Sequence, residues 1–296
     1  GLKVGDLDQG APELRADSRY NKDNAYIIDN YSTSADVLVV MVKTEEEQCT
    51  QYNVLRAMDN LQWELQNTPG VQSSASLADV SKIVTKALNE GNWKWYEISR
   101  NQTIINASIR EAPAGLINTN CDLTPVLVFL EDHKAETLET VTERVEEFAS
   151  NNNNDEYTFM LAAGNAGVEA ATNDVISSAK NMMLIFVYGV VASLCLLTFR
   201  SIRAVLCILI PLGLTSILAE AIMAVSGIGI KVATLPVIAL GVGIGIDYGI
   251  YIYSKLEKFL LEGKTLQEAY FETLRSTGKA VIFTGVTLGI GVVTWI

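Results

Sequence analysis

Apolar and polar positions divide this chain into two regimes. Up to residue 180 the apolar residues come in short runs and helical periods between polar stretches; beyond it they come in blocks long enough to cross a bilayer. Residues 1–30, rich in Gly, Asp, Asn and Pro, read as loop and turn. Residues 36–43, DVLVVMVK, are a β-branched run bounded by polar residues and predict a strand. Residues 49–68 then place Tyr52, Leu55, Met58, Leu61 and Leu65 on one helical face, Pro69-Gly70 ends that helix, and 71–77 returns as a strand. The succession recurs: strand 124–131, helix 135–149 with Leu138, Val141, Val145 and Phe148 on one side, strand 157–163. Two β-α-β units predict an α+β domain of split β-α-β, ferredoxin-like type. The insert between them, residues 78–120, reads as helical. Its Trp93, Trp95 and Tyr96 either pack a helical subdomain or line a greasy surface facing substrate or membrane.

Four apolar spans follow, at 181–199, 204–225, 232–253 and 280–296, each near the roughly 20 residues a spanning helix needs. The last runs into Trp295-Ile296, and no basic n-region with an apolar core stands at Gly1, so a piece of a longer membrane protein is expected. The division is therefore 1–180 as an extracytoplasmic domain and 181–296 as a transmembrane helical bundle. Residues 254–279 are amphipathic, are broken at Gly263, and can lie along the membrane face.

Charge orients this arrangement. The formal charge of −12 conceals 28 acidic and 14 basic residues in 1–180 against 6 and 8 in 181–296. Arg200 and Arg203 join the first two spans, and Lys255, Lys258, Lys264, Arg275 and Lys279 join the last two, whereas the middle link holds only Lys231. Basic connections lie in the cytoplasm, which puts the acidic domain outside, in a bacterium the periplasm of the inner membrane. The acidic surplus gives no footprint for nucleic acid.

The third span, VATLPVIALGVGIGIDYGIYIY, carries one carboxylate, Asp247. A charge at that depth costs at least about 2.5–3.5 kcal/mol, and such residues mark ion and proton pathways. No basic residue lies inside a span to neutralise it, and an unpaired carboxylate in a low-dielectric medium takes up a proton until water arrives. Tyr248 points about 100° away and shares a ridge with Gly241 and Gly245, while Gly243 lies on the carboxylate's side. Glycines on both faces let neighbouring helices approach and rock. Thr284 and Thr287 share a face of the fourth span at the depth of Asp247, about 9–10 Å from the inner end, and can hydrogen-bond the carboxylate or serve as packing glue. Glu220 stands about 8 Å below the outer end, too far for a direct pair, as an outer waystation or a hydrated interfacial group. The plain alternative for Asp247 is an interhelical hydrogen bond without a transport role.

The other motifs subtract chemistry. Gly263-Lys264-Thr265 lacks the preceding glycine of a phosphate loop, and Gly241-Val-Gly243-Ile-Gly245 lacks the third glycine of a dinucleotide site, so no nucleotide cofactor is expected and any work the chain does must draw on another energy source. Asp6-Leu-Asp8-Gln-Gly10 begins like a calcium loop but breaks at its third ligand position. His133, in a polar turn without Cys, His or Ser at motif spacing, reads as solvated, so no metal site is expected. Cys49 and Cys121 either pair as a disulfide outside the cytoplasm or remain two buried thiols.

Gly243-Ile-Gly245-Ile-Asp247-Tyr248 resembles the GxxxDY motif in the fourth helix of half-transporters of the resistance–nodulation–division (RND) superfamily, most nearly its MMPL branch and the related predicted bacterial exporters. The order of extracytoplasmic β-α-β domain, helices, motif and basic cytoplasmic helix is that family's half-repeat. The opening GDLDQGAPELRADSRYN resembles the second extracytoplasmic loop, which implies the C-terminal half. The resemblance implies a secondary active transporter, not an enzyme, with protons as the coupling ion, in which Asp247 and Tyr248 relay protons and a porter domain exports hydrophobic or lipid-like substrates. Its partners would be the remaining half of the polypeptide, membrane lipids and the substrate. The drug-efflux branch has two adjacent Asp residues where this chain has Asp-Tyr; this favours the lipid-type branch and leaves homo-oligomerisation open. Sterol- or lipid-sensing proteins and protein-translocation accessories share similar helices and stay as alternatives.

Overall fold

The computed structural model describes residues 3–7, 10–11, 14–15, 17–31, 33–232 and 234–293, with the side chains at 162, 235–240 and 292–293 outside that description. Asp8 of the calcium-like run and Trp295-Ile296 of the fourth span lie outside the described residues. The chain forms two compact units, Val4–Val175 and a second of Gly1–Lys3 with Ile176–Ile296.

In the first unit the elements run α1 (Arg19–Asn30), β1 (Val37–Thr44), α2 (Tyr52–Gln66), β2 (Val71–Ser76), α3 (Leu77–Leu88), a 3-10 turn (Trp93–Trp95), α4 (Gln102–Ile109), β3 (Leu123–Leu130), α5 (Ala135–Asn152) and β4 (Tyr157–Ala163). The strands form one antiparallel sheet in the order β2-β3-β1-β4. Strands of the units β1-α2-β2 and β3-α5-β4 thus interleave, as a split β-α-β arrangement requires. Val40 of β1 is paired with Val126 of β3 on one side and Leu161 of β4 on the other. Period-two burial sends Leu38, Val40 and Val42 inward with Val126, Val128 and Leu130. The apolar stripes of α2 (Leu55, Met58, Leu61, Leu65) and α5 (Leu138, Val141, Val145, Phe148) belong to the same core, and Phe148 meets Phe159 edge to face at 5.2 Å. Each fully buried aliphatic side chain adds about 1.5–3 kcal/mol, which is why these stripes hold the unit together.

Three expectations for this unit change. Residues 19–30, read as loop, form α1, a polar helix with no buried residue. Its apolar residues cover no buried core, and its start is fixed where Ser18 Oγ accepts from Asn21 N–H at 3.2 Å. Trp93, Trp95 and Tyr96 are not core: Trp93 is 72 % exposed, stacked edge to face on Tyr96 and under the Lys86 ammonium, 3.3 Å from its ring centre. His133 is not solvated but buried. The two cysteines outside the apolar spans are bridged, Cys49 to Cys121, with Cα atoms 5.1 Å apart.

The second unit holds most of α6 (Asn165–Phe199), then α7 (Ile202–Val225), α8 (Leu235–Leu261), α9 (Leu266–Thr273), a π-helical turn (Leu274–Gly278) and α10 (Lys279–Val293). Among the described residues two helices, α6 and α7, are long and apolar enough to cross a membrane. The first span is part of a 35-residue helix that begins well before residue 181. Likewise α8 does not stop at Tyr253 but runs on to Leu261. Residues 254–279 finish α8, turn at the expected Gly263, whose φ of +85° suits glycine, and resume as α9 behind a Thr265–Glu268 capping box.

Candidate functional site

Small residues set how closely α7 and α8 approach. Gly241, Gly245 and Gly249 recur every four residues on one ridge of α8. A Cβ on Gly245 would stand 2.7 Å from Leu212 Cδ1, and one on Gly249 would stand 3.0 Å from Ile208 Cγ2. Against this seam Ile208 and Leu212 of α7 and Val242 and Ile246 of α8 are buried together with Cys195 of α6. The Phe199–Tyr253 ring pair, centres 5.1 Å apart, closes the lower end. Gly249 extends the expected Gly241–Gly245 ridge by one turn; its signal, the same four-residue spacing, was present in the sequence.

Beside the seam lies a cavity of about 970 Å³ whose lining is almost wholly apolar, with Thr215, Ser216, Glu220, Tyr248 and Tyr253 as its chief polar groups and Leu288 of α10 on its rim. Tyr248 therefore faces into this cavity along the ridge of Gly241 and Gly245. Asp247, one position earlier on α8, is exposed on the adjoining face and does not line it. Gly243 shares that open face, with nothing within 4 Å of where its Cβ would be. The structure thus separates the two residues of the pair into a cavity-facing hydroxyl and an outward-facing carboxylate.

Of the supporting residues, Thr284 and Thr287 donate to carbonyls of their own helix, Ala280 at 2.9 Å and Phe283 at 2.8 Å. Their hydroxyl protons are committed there and not to Asp247. Glu220 has a partner absent from the sequence expectation: its Oε2 lies 3.2 Å from Lys180 Nζ, a mostly buried pair joining α6 to α7. Lys180 stands one residue before the first predicted span, which is why reading the spans alone passed over it. Near the pair, Tyr188 and Ser216 share a 2.7 Å hydroxyl contact between the same helices.

A second charged cluster sits in the first unit, where His133 Nδ1 is 3.2 Å from Asp36 Oδ1. The adjacent Asp36 carboxylate holds the imidazole above its ordinary value, against the opposing effect of burial and with Glu169 and Asp6 adding to it. One ligand atom from each of Asp6, His133 and Glu169 falls within 4.8 Å of the others.

The apolar helices, the glycine seam and the largely apolar cavity are those of a membrane-associated protein that also carries a folded α+β unit. The family model described as the MMPL family matches residues 15–294, and the chain belongs to that family, a transporter family of the RND superfamily. No curated protein matches the chain.

Proposed function

We propose that this chain is the C-terminal half of a proton-driven RND exporter of hydrophobic or lipid-like substrates, with Asp247 and Tyr248 as its proton relay. The observation that carries this reading is the placement of Tyr248 in the apolar cavity beside Asp247, the one acidic residue among the apolar turns of α8. In this reading the coupling proton is carried at Asp247, on a helix whose glycines let its neighbours approach closely. The open Asp247 face would meet the remaining half of the polypeptide, which supplies the second wall of the proton path. Nothing in the chain offers a nucleotide motif, so the membrane proton gradient is the energy source this reading uses. The basic connections at Arg200, Arg203 and Lys255–Lys279 support a cytoplasmic placement for those segments. The Cys49–Cys121 bridge supports an oxidising, periplasmic placement for the first unit, acting as porter domain.

The test is vectorial transport by the complete protein in proteoliposomes under an imposed pH gradient. Asp247→Asn should lower proton-driven flux by at least about 100-fold, in line with loss of an acid–base group, while lipid binding is retained. Flux at the normal rate in Asp247→Asn would sink the relay. Lipid binding by the wild type with no vectorial flux at all would instead establish a lipid-sensing protein.

A further inference from the structure

The chain passes between its two compact units at two places, after Lys3 and after Val175. Asp6 follows the first crossing by a few residues, and Glu169, in the first turns of α6, precedes the second. A carboxylate oxygen of each lies within 4.8 Å of the other and of a ring nitrogen of His133, in the β3–α5 turn. A third carboxylate, Asp36 ahead of β1, is 3.2 Å from His133 Nδ1. Asp36 and His133 are buried, while Asp6 and Glu169 are half-buried. The Asp36 carbonyl accepts from Leu130 N–H at 2.9 Å, and Asp132 shapes the turn by accepting from the Thr137 hydroxyl at 2.6 Å. Gly5, at φ +91°, lets the first crossing segment lie against both Ala135 and Asn173, which a Cβ there would meet at 2.8 and 2.6 Å. The second is tied to the start of β1 by Asn165, which accepts from Val37 N–H and donates to the Ala35 carbonyl, both at 3.0 Å.

We propose that His133 is a pH-operated lock on these two crossings: as the imidazolium it binds Asp6 and Glu169 to the β3–α5 turn, and as the neutral ring it lets them go. The Nδ1–Asp36 contact is off the line a hydrogen bond needs, so its attraction comes from the charge on the ring and leaves with the proton. Loss of that proton sets three carboxylates about a neutral ring, with their mutual repulsion no longer offset. Among the described residues the charges that bear on the imidazole are Asp36 first, then Glu169 and Asp6. Together they hold it above its ordinary 6.5 against the opposing effect of burial. The neighbouring Asp132 and Lys134 offset each other in an ion pair of 3.0 Å. Because the folded value is raised, the lock contributes fully below pH 6.5 and is lost as pH climbs through the folded value. The proposal is independent of the transport reading.

His133 is the only histidine in the chain, so in the full chain, purified without a histidine tag, its ring signals can be titrated by NMR without ambiguity. A midpoint above 6.5 is expected, shifted down in Asp36→Asn. Thermal unfolding and hydrogen exchange of residues 3–7 and 165–175 are then compared, pH by pH, with His133→Gln, whose side chain stays neutral. Below the midpoint the wild type should show the higher Tm and the slower exchange, and above it should lose both advantages. A midpoint at or below 6.5 overturns the lock. So does an advantage that is equal on both sides of the midpoint, which would leave His133 a packing residue. Should His133→Gln not fold, Asp36→Asn takes its place: its Tm must begin to fall at a lower pH than that of the wild type, and coincident curves overturn the lock.

Discussion

Removing the ammonium of Lys180 leaves Glu220 as a mostly buried carboxylate beside an apolar cavity. Lys180→Met is therefore expected to cost about 1–3 kcal/mol, the range for stranding a buried charged group that retains some access to water. The exchange Lys180→Glu with Glu220→Lys should restore most of it, and thermal unfolding in detergent checks both. Lys82 makes a second prediction at this scale. Burial alone would push its ammonium down, but Asp59 at 2.5 Å and Asp79 at 3.1 Å outweigh burial and hold it above its ordinary 10.5. A raised folded value means the contribution is complete below pH 10.5 and fades as pH climbs through the folded value. Wild-type stability in urea should thus fall above that pH, and Lys82→Met should flatten the fall while lowering stability at pH 7. Single residues were legible where they broke a local pattern, as Asp247 does in its apolar span. His133 and Lys180 broke none, because what defines them is a partner far along the chain.

Among the elements, α7 and α8 depend on the glycine seam. Gly249→Val sets a branched side chain against Ile208 and should destabilise the helix pair by about 1–3 kcal/mol, the usual cost of overpacking. Gly245→Ala should cost less, because its neighbour is the end of the Leu212 side chain, which can rotate away. Comparing the two by thermal unfolding separates close packing from general loss of glycine. The Cys49–Cys121 bridge, across a sequence separation of 72, restrains the segment entering α2 against the one entering β3. Its reduction should lower stability by about 2–4 kcal/mol, read as a Tm difference between reduced and oxidised protein. Elements with an apolar period, such as α2 and α5, were visible in sequence to within a few residues. By contrast α1 was not, since it lies in a stretch rich in Gly, Asp and Asn and is held by a Ser18 cap and by Gln72 donating to the Ile28 and Tyr31 carbonyls, contacts that lie outside its own period.

At the scale of the whole molecule the charge distribution predicts sidedness. A cysteine introduced at the exposed position Asn151 should react with a membrane-impermeant thiol reagent in intact spheroplasts, whereas one at the exposed position Glu262 should react only after permeabilisation. The opposite pattern would invert the proposed topology and with it the direction of proton flow.

The sequence by itself determined the division into an acidic α+β unit and an apolar helical one, the periodic faces of α2 and α5, and the family motif around Asp247. These depend on residues within a few positions of one another, where helical and strand periods act. Only the tertiary structure decided the strand order β2-β3-β1-β4, the Cys49–Cys121 pairing, the Lys180–Glu220 ion pair, the cavity that receives Tyr248 and the ring of carboxylates about His133. Each joins segments that no local period relates, and their meeting is fixed by how the buried faces pack rather than by any spacing along the chain.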